Sequence, residues 1–356
     1  VREIVMRLIV QVCRQPGLSA VYNEILSFEG NEFYIRDFPE LVNCTFMEIA
    51  NRITDGVAIG IKTDGKMLIN PDPSEVFNSG DRLLLLAEDD DSFDFEDELT
   101  PEGEFRGSGM DTCRKPLNML IFSGNSRNVS FMLSKLDAYA LPGAKILVAG
   151  SLPQEEGTLL LSNVKTANCT MVYVQTDRTD PDRIEALNPQ DFDSIMVISG
   201  KAPGMSDESA DSECIVTLLV LKNIAERLRD SWVATVVSEI RNPRNRRLAS
   251  AAGIDDFVIS NEVCSMIMAQ LVIEPGLGEV YEEIFDPSAC EVQLRCASSY
   301  SSRTFSQLSV EGMRKREIVM SWLTGLGCNA KVHLNPSKES VLPEDMNTKI
   351  VVIAER

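Results

Sequence analysis

The chain has 356 residues, 44% hydrophobic and 6% aromatic, which is apolar material for two or three packed domains and excludes a disordered chain. Acids outnumber bases 54 to 34, a formal net charge of -20, which excludes a surface that tracks nucleic acid phosphates or anionic lipid by charge alone. Nine scattered cysteines, odd in number and without a C-x-x-C pair, exclude a disulfide framework and a zinc knuckle and suit a reducing compartment.

Ile4, Val5, Leu8, Ile9 and Val12 recur at helical spacing and predict a first helix already under way at Val1. With no initiator Met and no signal-peptide layout before it, the sequence reads as a fragment whose upstream part is missing. Charges such as Arg7 and Arg14 interrupt every apolar run before it approaches the roughly 20 residues that cross a bilayer. Pro16-Gly17 breaks the first helix, a second follows, then a strand at Glu32 to Ile35, a short helix, and two or three strands ending in the apolar run Leu83 to Ala87. Glu88 to Glu104 then holds ten acids and no base, followed by Gly107, Ser108 and Gly109, the composition of an exposed linker.

Strand-length apolar runs next alternate with helical periods. Strands are predicted at Leu117 to Phe122, Lys145 to Ala149, Thr170 to Val174, Ser194 to Ile198, Trp232 to Val237 and Asp256 to Ile259. Helices are predicted around Val129, Met132, Leu133 and Leu136, and around Ile215, Leu218, Leu221, Ile224 and Leu228. That alternation implies α/β architecture with a Rossmann-like, doubly wound parallel sheet. Its last strand runs into another helix, for which Ser260 or Asn261 is a natural N-cap.

The remaining segment repeats the first. Pro16-Gly17-Leu18 with Val21-Tyr22 and Glu24-Ile25 returns as Pro275-Gly276-Leu277 with Val280-Tyr281 and Glu283-Ile284, an offset of 259 that Thr45-Phe46 and Thr304-Phe305 share. Leu68-Ile69-Asn70-Pro71 is echoed by His333-Leu334-Asn335-Pro336 at 265, and Leu86-Ala87-Glu88 by Ile353-Ala354-Glu355 at 267, a drift expected of loop insertions. The expected organisation is therefore a first small α+β lobe with its crossover helices at 1–92, an acidic linker at 93–115, a Rossmann-like lobe at 116–260, and a second copy of the small lobe at 261–356.

Little catalytic chemistry is legible. The turn after the first sheet strand, Phe122-Ser123-Gly124-Asn125-Ser126-Arg127, has one glycine where a dinucleotide cradle uses three, and Val148-Ala149-Gly150-Ser151 lacks the acid that holds a ribose, so NAD is not expected. The single histidine, His333, alternates with Val332 and Leu334 and reads as a strand side chain. G-x-S-x-G, Walker A and H-E-x-x-H are absent, no carboxylate pair stands out, and no enzyme is predicted. Two readings fit Glu88, Asp89, Asp90 and Asp91: a solvated charge run, or carboxylates at a strand end that bind a divalent cation such as Ca²⁺. Arg241, Arg244, Arg246 and Arg247 form the one basic cluster, read as a solvated helix start or as partners for acids of a neighbouring subunit.

The order small lobe, Rossmann lobe, small lobe resembles the cytosolic tail of channels with two tandem RCK (regulator of K⁺ conductance) domains, and within that class the CASTOR/POLLUX ion channels of plants. The residues that carry the resemblance run in order along the chain: Arg14 to Leu18, Glu32 to Ile35, Asn70-Pro71, Gly80-Asp81 with Ala87 to Asp91, Phe192 to Ile195, Thr217 to Leu219, Ser238 to Ile240, Ser260 to Glu262, Arg316 to Val319 and Asn335-Pro336. The chain departs from the family at Ser123 to Arg127, where relatives have a Cys-Gly-Trp-Arg-Arg stretch, and at Ser199-Gly200, where they tend to place an acid. The resemblance implies a homotetrameric gating ring, covalently attached to an upstream transmembrane pore and lying on the cytosolic side of a membrane, the nuclear envelope or a plastid in relatives. It further implies regulation by Ca²⁺ and a pore for K⁺ or Ca²⁺. The reading from a different class is a nucleotide-binding Rossmann-type sensor or oxidoreductase.

Overall fold

The computed structural model describes residues 2–89, 91–96, 116–123, 129–200, 204–253, 255–286, 288–325 and 330–355. The chain divides into two compact units, one of residues 1–19 and 113–265 and one of residues 20–112 and 266–356. These units cut across the segments expected from chain order: the first helix groups with the parallel sheet, and the two copies of the small lobe group with each other.

The elements before the sheet are α1 (Arg2–Arg14), α2 (Leu18–Leu26), β1 (Glu32–Arg36), α3 (Phe46–Arg52), β2 (Gly56–Thr63), β3 (Lys66–Ile69) and β4 (Arg82–Ala87). The sheet segment holds β5 (Asn118–Ser123), α4 (Val129–Tyr139), β6 (Ala144–Gly150), α5 (Gln154–Ser162), β7 (Cys169–Gln175), α6 (Pro181–Glu185), β8 (Ser194–Val197), α7 (Asp207–Leu228), β9 (Thr235–Ile240), α8 (Arg246–Ala251) and β10 (Asp256–Ile259). The last segment holds α9 (Ser260–Ile273), α10 (Leu277–Ile284), β11 (Glu291–Cys296), α11 (Phe305–Arg314), β12 (Glu317–Thr324), β13 (Lys331–Leu334) and β14 (Lys349–Ala354).

In the first unit six parallel strands run in the order β10-β9-β8-β5-β6-β7, the doubly wound arrangement that the alternating pattern predicts. A strand covered on both faces reads as a continuous apolar run, and Met119 to Phe122 and Ile195 to Val197 are each no more than 1% exposed. Two boundaries differ from the expectation. The run at Trp232 pairs only from Thr235, because Arg229 to Ser231 form a 3₁₀ turn closed by the Trp232 amide donating to Arg229 O at 2.9 Å. Ser260 is the first residue of α9, continuous with β10, and does not stand outside it as a cap.

α1 packs on α4 and on β8, β9 and β10. Its apolar stripe, Val5, Leu8, Ile9 and Val12, is buried to 1% exposure or less, and each such side chain removed from water contributes roughly 1.5–3 kcal/mol. Gln11 Nε2 donates to Tyr139 OH at 3.1 Å, Cys13 Sγ lies 3.2 Å from Ser194 Oγ, and the Arg14 guanidinium stacks 4.7 Å from the Tyr139 ring.

In the second unit the duplication is visible strand by strand. The two four-stranded sheets have the same antiparallel order, β1-β4-β2-β3 and β11-β14-β12-β13. Glu32 opposes Ala87 and Glu291 opposes Ala354, and each middle strand shifts register at the same place, between Ala58 and Gly60 and between Val319 and Ser321. Both short helices begin with a capping box: Thr45 accepts from the Glu48 amide, Thr304 accepts from the Gln307 amide, and each N3 side chain answers the cap amide. Asn70 and Asn335 adopt left-handed backbone (φ +51 and +45) at equivalent turns after β3 and β13, where Asn tolerates that conformation best among non-glycine residues.

The copies face each other with like elements adjacent, α3 beside α11 and β2 beside β12. Their polar contacts are reciprocal. Asn70 Nδ2 donates to Arg316 O at 2.7 Å, and Asn335 Nδ2 donates to Asp55 O at 3.0 Å. Asn31 Nδ2 donates to Leu334 O at 3.4 Å, and Cys290 Sγ reaches Ile69 O at 3.6 Å. Such exchange of equivalent partners is the signature of a two-fold pair, here made within one chain.

Candidate functional site

The carboxyl ends of the parallel strands are where a doubly wound fold presents ligands, at the point where neighbouring connections diverge. Here that point lies between β5 and β8, which are adjacent although not consecutive. The turn Gly124 to Arg127, whose single glycine leads to the expectation of no NAD, lies outside the described residues. The ends of β8 and β9 and the start of α7 are described, and they enclose a buried polar cluster.

Its centre is Asp211, fully buried in the second turn of α7. The carboxylate accepts from Ser199 Oγ at 3.2 Å, the Arg241 and Asn242 amides at 2.9 Å each, and Asn245 Nδ2 at 2.8 Å. It thereby ties the start of α7 to the segments that follow β8 and β9. Arg178, 5% exposed, lies beside it, with Nη1 donating to Ile198 O at 2.7 Å and Nη2 pairing with Glu213 at 2.8 Å. Thr217 Oγ1 donates to Arg178 O at 2.9 Å, which fixes the arginine backbone on α7.

Glu239, near the end of β9, is 2% exposed; burial pushes its carboxyl upward, and the Arg241 guanidinium pulls it partly back. Arg241 is itself buried, with Nε 3.7 Å from the Asp207 carboxylate, and the buried Ser260 hydroxyl at the head of α9 also acts on Glu239, holding its carboxyl down against burial. Burial pushes the Cys214 thiol up to about 12, so the sulfur beside Arg178 stays protonated at neutral pH.

A second buried acid sits at the opposite end of the sheet. Asp256, at the start of β10, accepts from the Gly17 amide at 2.6 Å, from the Ser19 hydroxyl, and from the Phe257 amide at 2.9 Å. Burial pushes its carboxyl up to about 6 against those hydrogen bonds. The Pro16-Gly17 break is thus clasped by one carboxylate.

The acids singled out in the sequence are placed otherwise. Glu88, Asp89 and Asp91 are exposed after β4, with the Asp89 amide donating to Ser92 Oγ at 3.0 Å; Asp90 lies outside the described residues. Among the described residues no group of three or more His, Cys, Asp or Glu is placed to hold a metal ion, so these three acids do not form a ready cage. Of the basic cluster, Arg241 departs from the expectation of a solvated helix start, because the Asp211 carboxylate draws its amide into the buried network. Arg246 pairs with Glu262 at 2.5 Å, while Arg244 and Arg247 are exposed. His333 is a strand side chain in β13, 3.3 Å from Thr324 Oγ1. Sequence reasoning missed Arg178, Asp211, Glu239 and Asp256. The available signal was an acid inside or against an otherwise apolar strand run, as in Val236-Val237-Ser238-Glu239-Ile240 and Asp256-Phe257-Val258-Ile259.

Residues 2–102 match the family model described as Castor and Pollux, part of voltage-gated ion channel. The chain is 28% identical over 380 residues to the ion channel DMI1 of Medicago truncatula, covering 95% of this chain and 42% of that protein. It is 29% identical to the probable ion channel CASTOR of Oryza sativa subsp. japonica, covering 90% and 40%, and 28% identical to the ion channel CASTOR of Lotus japonicus, covering 99% and 46%. The chain thus spans less than half the length of these relatives. Its fold is similar to that of the human SLO3 gating ring, with a TM-score of 0.71 at 13% identity over 99% of this chain and 75% of that one. No helix among the described residues is long and apolar enough to cross a membrane. With the duplicated lobes and the doubly wound sheet, the chain is similar along nearly its whole length to CASTOR/POLLUX-type ion channels.

Proposed function

We propose that this chain is the ligand-sensing gating-ring portion of a tetrameric cation channel, passing K⁺ or Ca²⁺, attached to a membrane pore and lying on its cytosolic side. The observation that carries the reading is the pairing of two copies of one lobe in a single unit alongside a Rossmann-type sheet, a fold similar to a channel gating ring over 99% of the chain. A ring of this kind performs work on a pore only when its ligand binds the open arrangement more tightly than the closed one. The buried network around Asp211 supports the reading, since it couples the ends of two sheet strands to a 22-residue helix.

Ca²⁺ is the regulating ion we propose, and the acids Glu88, Asp89, Asp90 and Asp91 are its proposed contact. Their support is four consecutive carboxylates at the end of the fixed strand β4. Among the described residues these acids do not converge on one point. The test is native mass measurement with calorimetry on the same protein. Tetramers, together with a Ca²⁺ heat signal that Asp89→Asn with Asp90→Asn abolishes, are the expected result. A monomer at high micromolar concentration with and without Ca²⁺ would overturn the ring, and an unchanged heat signal in the variant would overturn the site. An adenine or nicotinamide nucleotide that raises the melting temperature where Ca²⁺ does not would favour the nucleotide sensor instead.

A further inference from the structure

The reciprocal contacts between the two copies are equivalent in their backbone and opposite in their charge. In each copy the residue just before the middle strand meets the turn that follows the third strand of the other copy. Before β12 that residue is Arg316, which reaches the first copy's turn with Nη1 3.1 Å from Pro71 O and 3.3 Å from the Asp72 carboxylate. Before β2 the equivalent residue is Asp55, and the second copy's turn places Lys338 next to it, one position beyond the counterpart of Asp72: Lys338 Nζ donates to Gly56 O at 3.2 Å, burial pushes its ammonium down to about 8, and the charge of Asp55 pulls it partly back up. One corner thus has its cation on the strand and its anion on the turn, and the other has them reversed.

The reversal matters because the same two-fold geometry is open to two identical copies. Two first copies would set Asp55 against Asp72 at both corners, acid against acid. Two second copies would set Arg316 against Lys338 at both corners, base against base. Only the mixed pair is attractive at both. The backbone donors Asn70 and Asn335 serve any of the three pairings alike, since each meets a main-chain carbonyl. The discrimination therefore lies in Asp55, Asp72, Arg316 and Lys338.

We propose that these four side chains are a pairing code: they select the union of a first copy with a second copy and disfavour union of a copy with its like on a neighbouring chain. The partner that this surface fits is the other half of the duplication. The inference stands on the second unit alone and does not depend on the channel reading.

The test uses the whole 356-residue protein and three variants. Asp72→Lys makes the first copy complementary to itself and sets a lysine against Arg316. Its melting temperature should fall, and its association between chains, measured by native mass and sedimentation in low salt, should tighten by roughly fivefold, the scale of one exposed ion pair. Arg316→Asp sets an acid against Asp72 and should lower the melting temperature likewise. Combining the two restores an attractive corner of reversed polarity. The melting temperature should recover, while association between chains stays raised, because every pairing is now permitted. At 1 M salt the differences in association should collapse, as charges at the surface are screened within about 3 Å. Losses that merely add in the double variant would overturn the proposal, and so would association that is the same in all the proteins.

Discussion

Asp256 clasps the Pro16-Gly17 break through the Gly17 amide, the Ser19 hydroxyl and the Phe257 amide, yet burial raises its carboxyl from 3.8 to about 6. An acid whose folded-state value lies above its unfolded value contributes stability that is present below about pH 3.8 and is lost as pH rises through 6. Integrating that linkage gives a cost of about 1.6 kcal/mol at pH 5 and about 3 kcal/mol at pH 7.5, a difference of about 1.4 kcal/mol across the window. Asp256→Asn removes the titration while keeping one acceptor for the Gly17 amide and a donor for Ser19 Oγ. Urea denaturation of parent and variant followed by circular dichroism, at half-unit steps from pH 5 to 7.5, provides the measurement, and subtraction cancels the carboxylates common to both. The parent should lose about 1.4 kcal/mol relative to the variant across that range. A flat difference, or a parent that gains relative to the variant as pH rises, would refute the reasoning that burial outweighs the hydrogen bonds at this acid.

Asp211→Ala deprives four donors of their acceptor, two of them main-chain amides, and should cost about 3–5 kcal/mol, which for a unit of this size is a fall in Tm of about 6 °C or more. A fall of less than about 2 °C by calorimetry would show that water replaces the carboxylate without loss. Thr45→Ala and Thr304→Ala remove equivalent helix caps and should each cost about 1 kcal/mol, with Ser restoring most of it at either position. Thermal melts in which one copy responds and the other is indifferent would contradict the equivalence of the two lobes.

Much of this architecture is legible in the residues because it is written in local patterns. The offset of 259 between Pro16-Gly17 and Pro275-Gly276 already marks the duplication, and its drift has structural addresses. α11 is longer than α3, which moves the offset to 261 at Asp55 and Arg316, and a longer connection between β12 and β13 than between β2 and β3 moves it to 265 at Asn70 and Asn335. Apolar runs such as Met119 to Phe122 announce strands because both faces of a parallel sheet are covered. What escaped was everything decided by contacts across long stretches of chain. No local pattern says that α1 leaves its own copy to pack under β8 and β9, or that the copies prefer each other. Nor does composition say which of 54 acids are buried. The run at 88–91 stands out through its density, whereas Asp211, Glu239 and Asp256 are among the acids that the fold withdraws from water.

In both sheets of the second unit the strand made last in its copy lies in the interior, β4 between β1 and β2 and β14 between β11 and β12. During synthesis each copy must therefore wait for its final strand with two partners poised on either side of a gap. The first copy can close once Ala87 has left the ribosome, but the second stays open until Ala354 emerges. A premature stop that removes only those closing residues would take out the keystone and leave β11 and β12 with bare edges. Nascent chains caught at that stage are the ones a chaperone would be expected to guard.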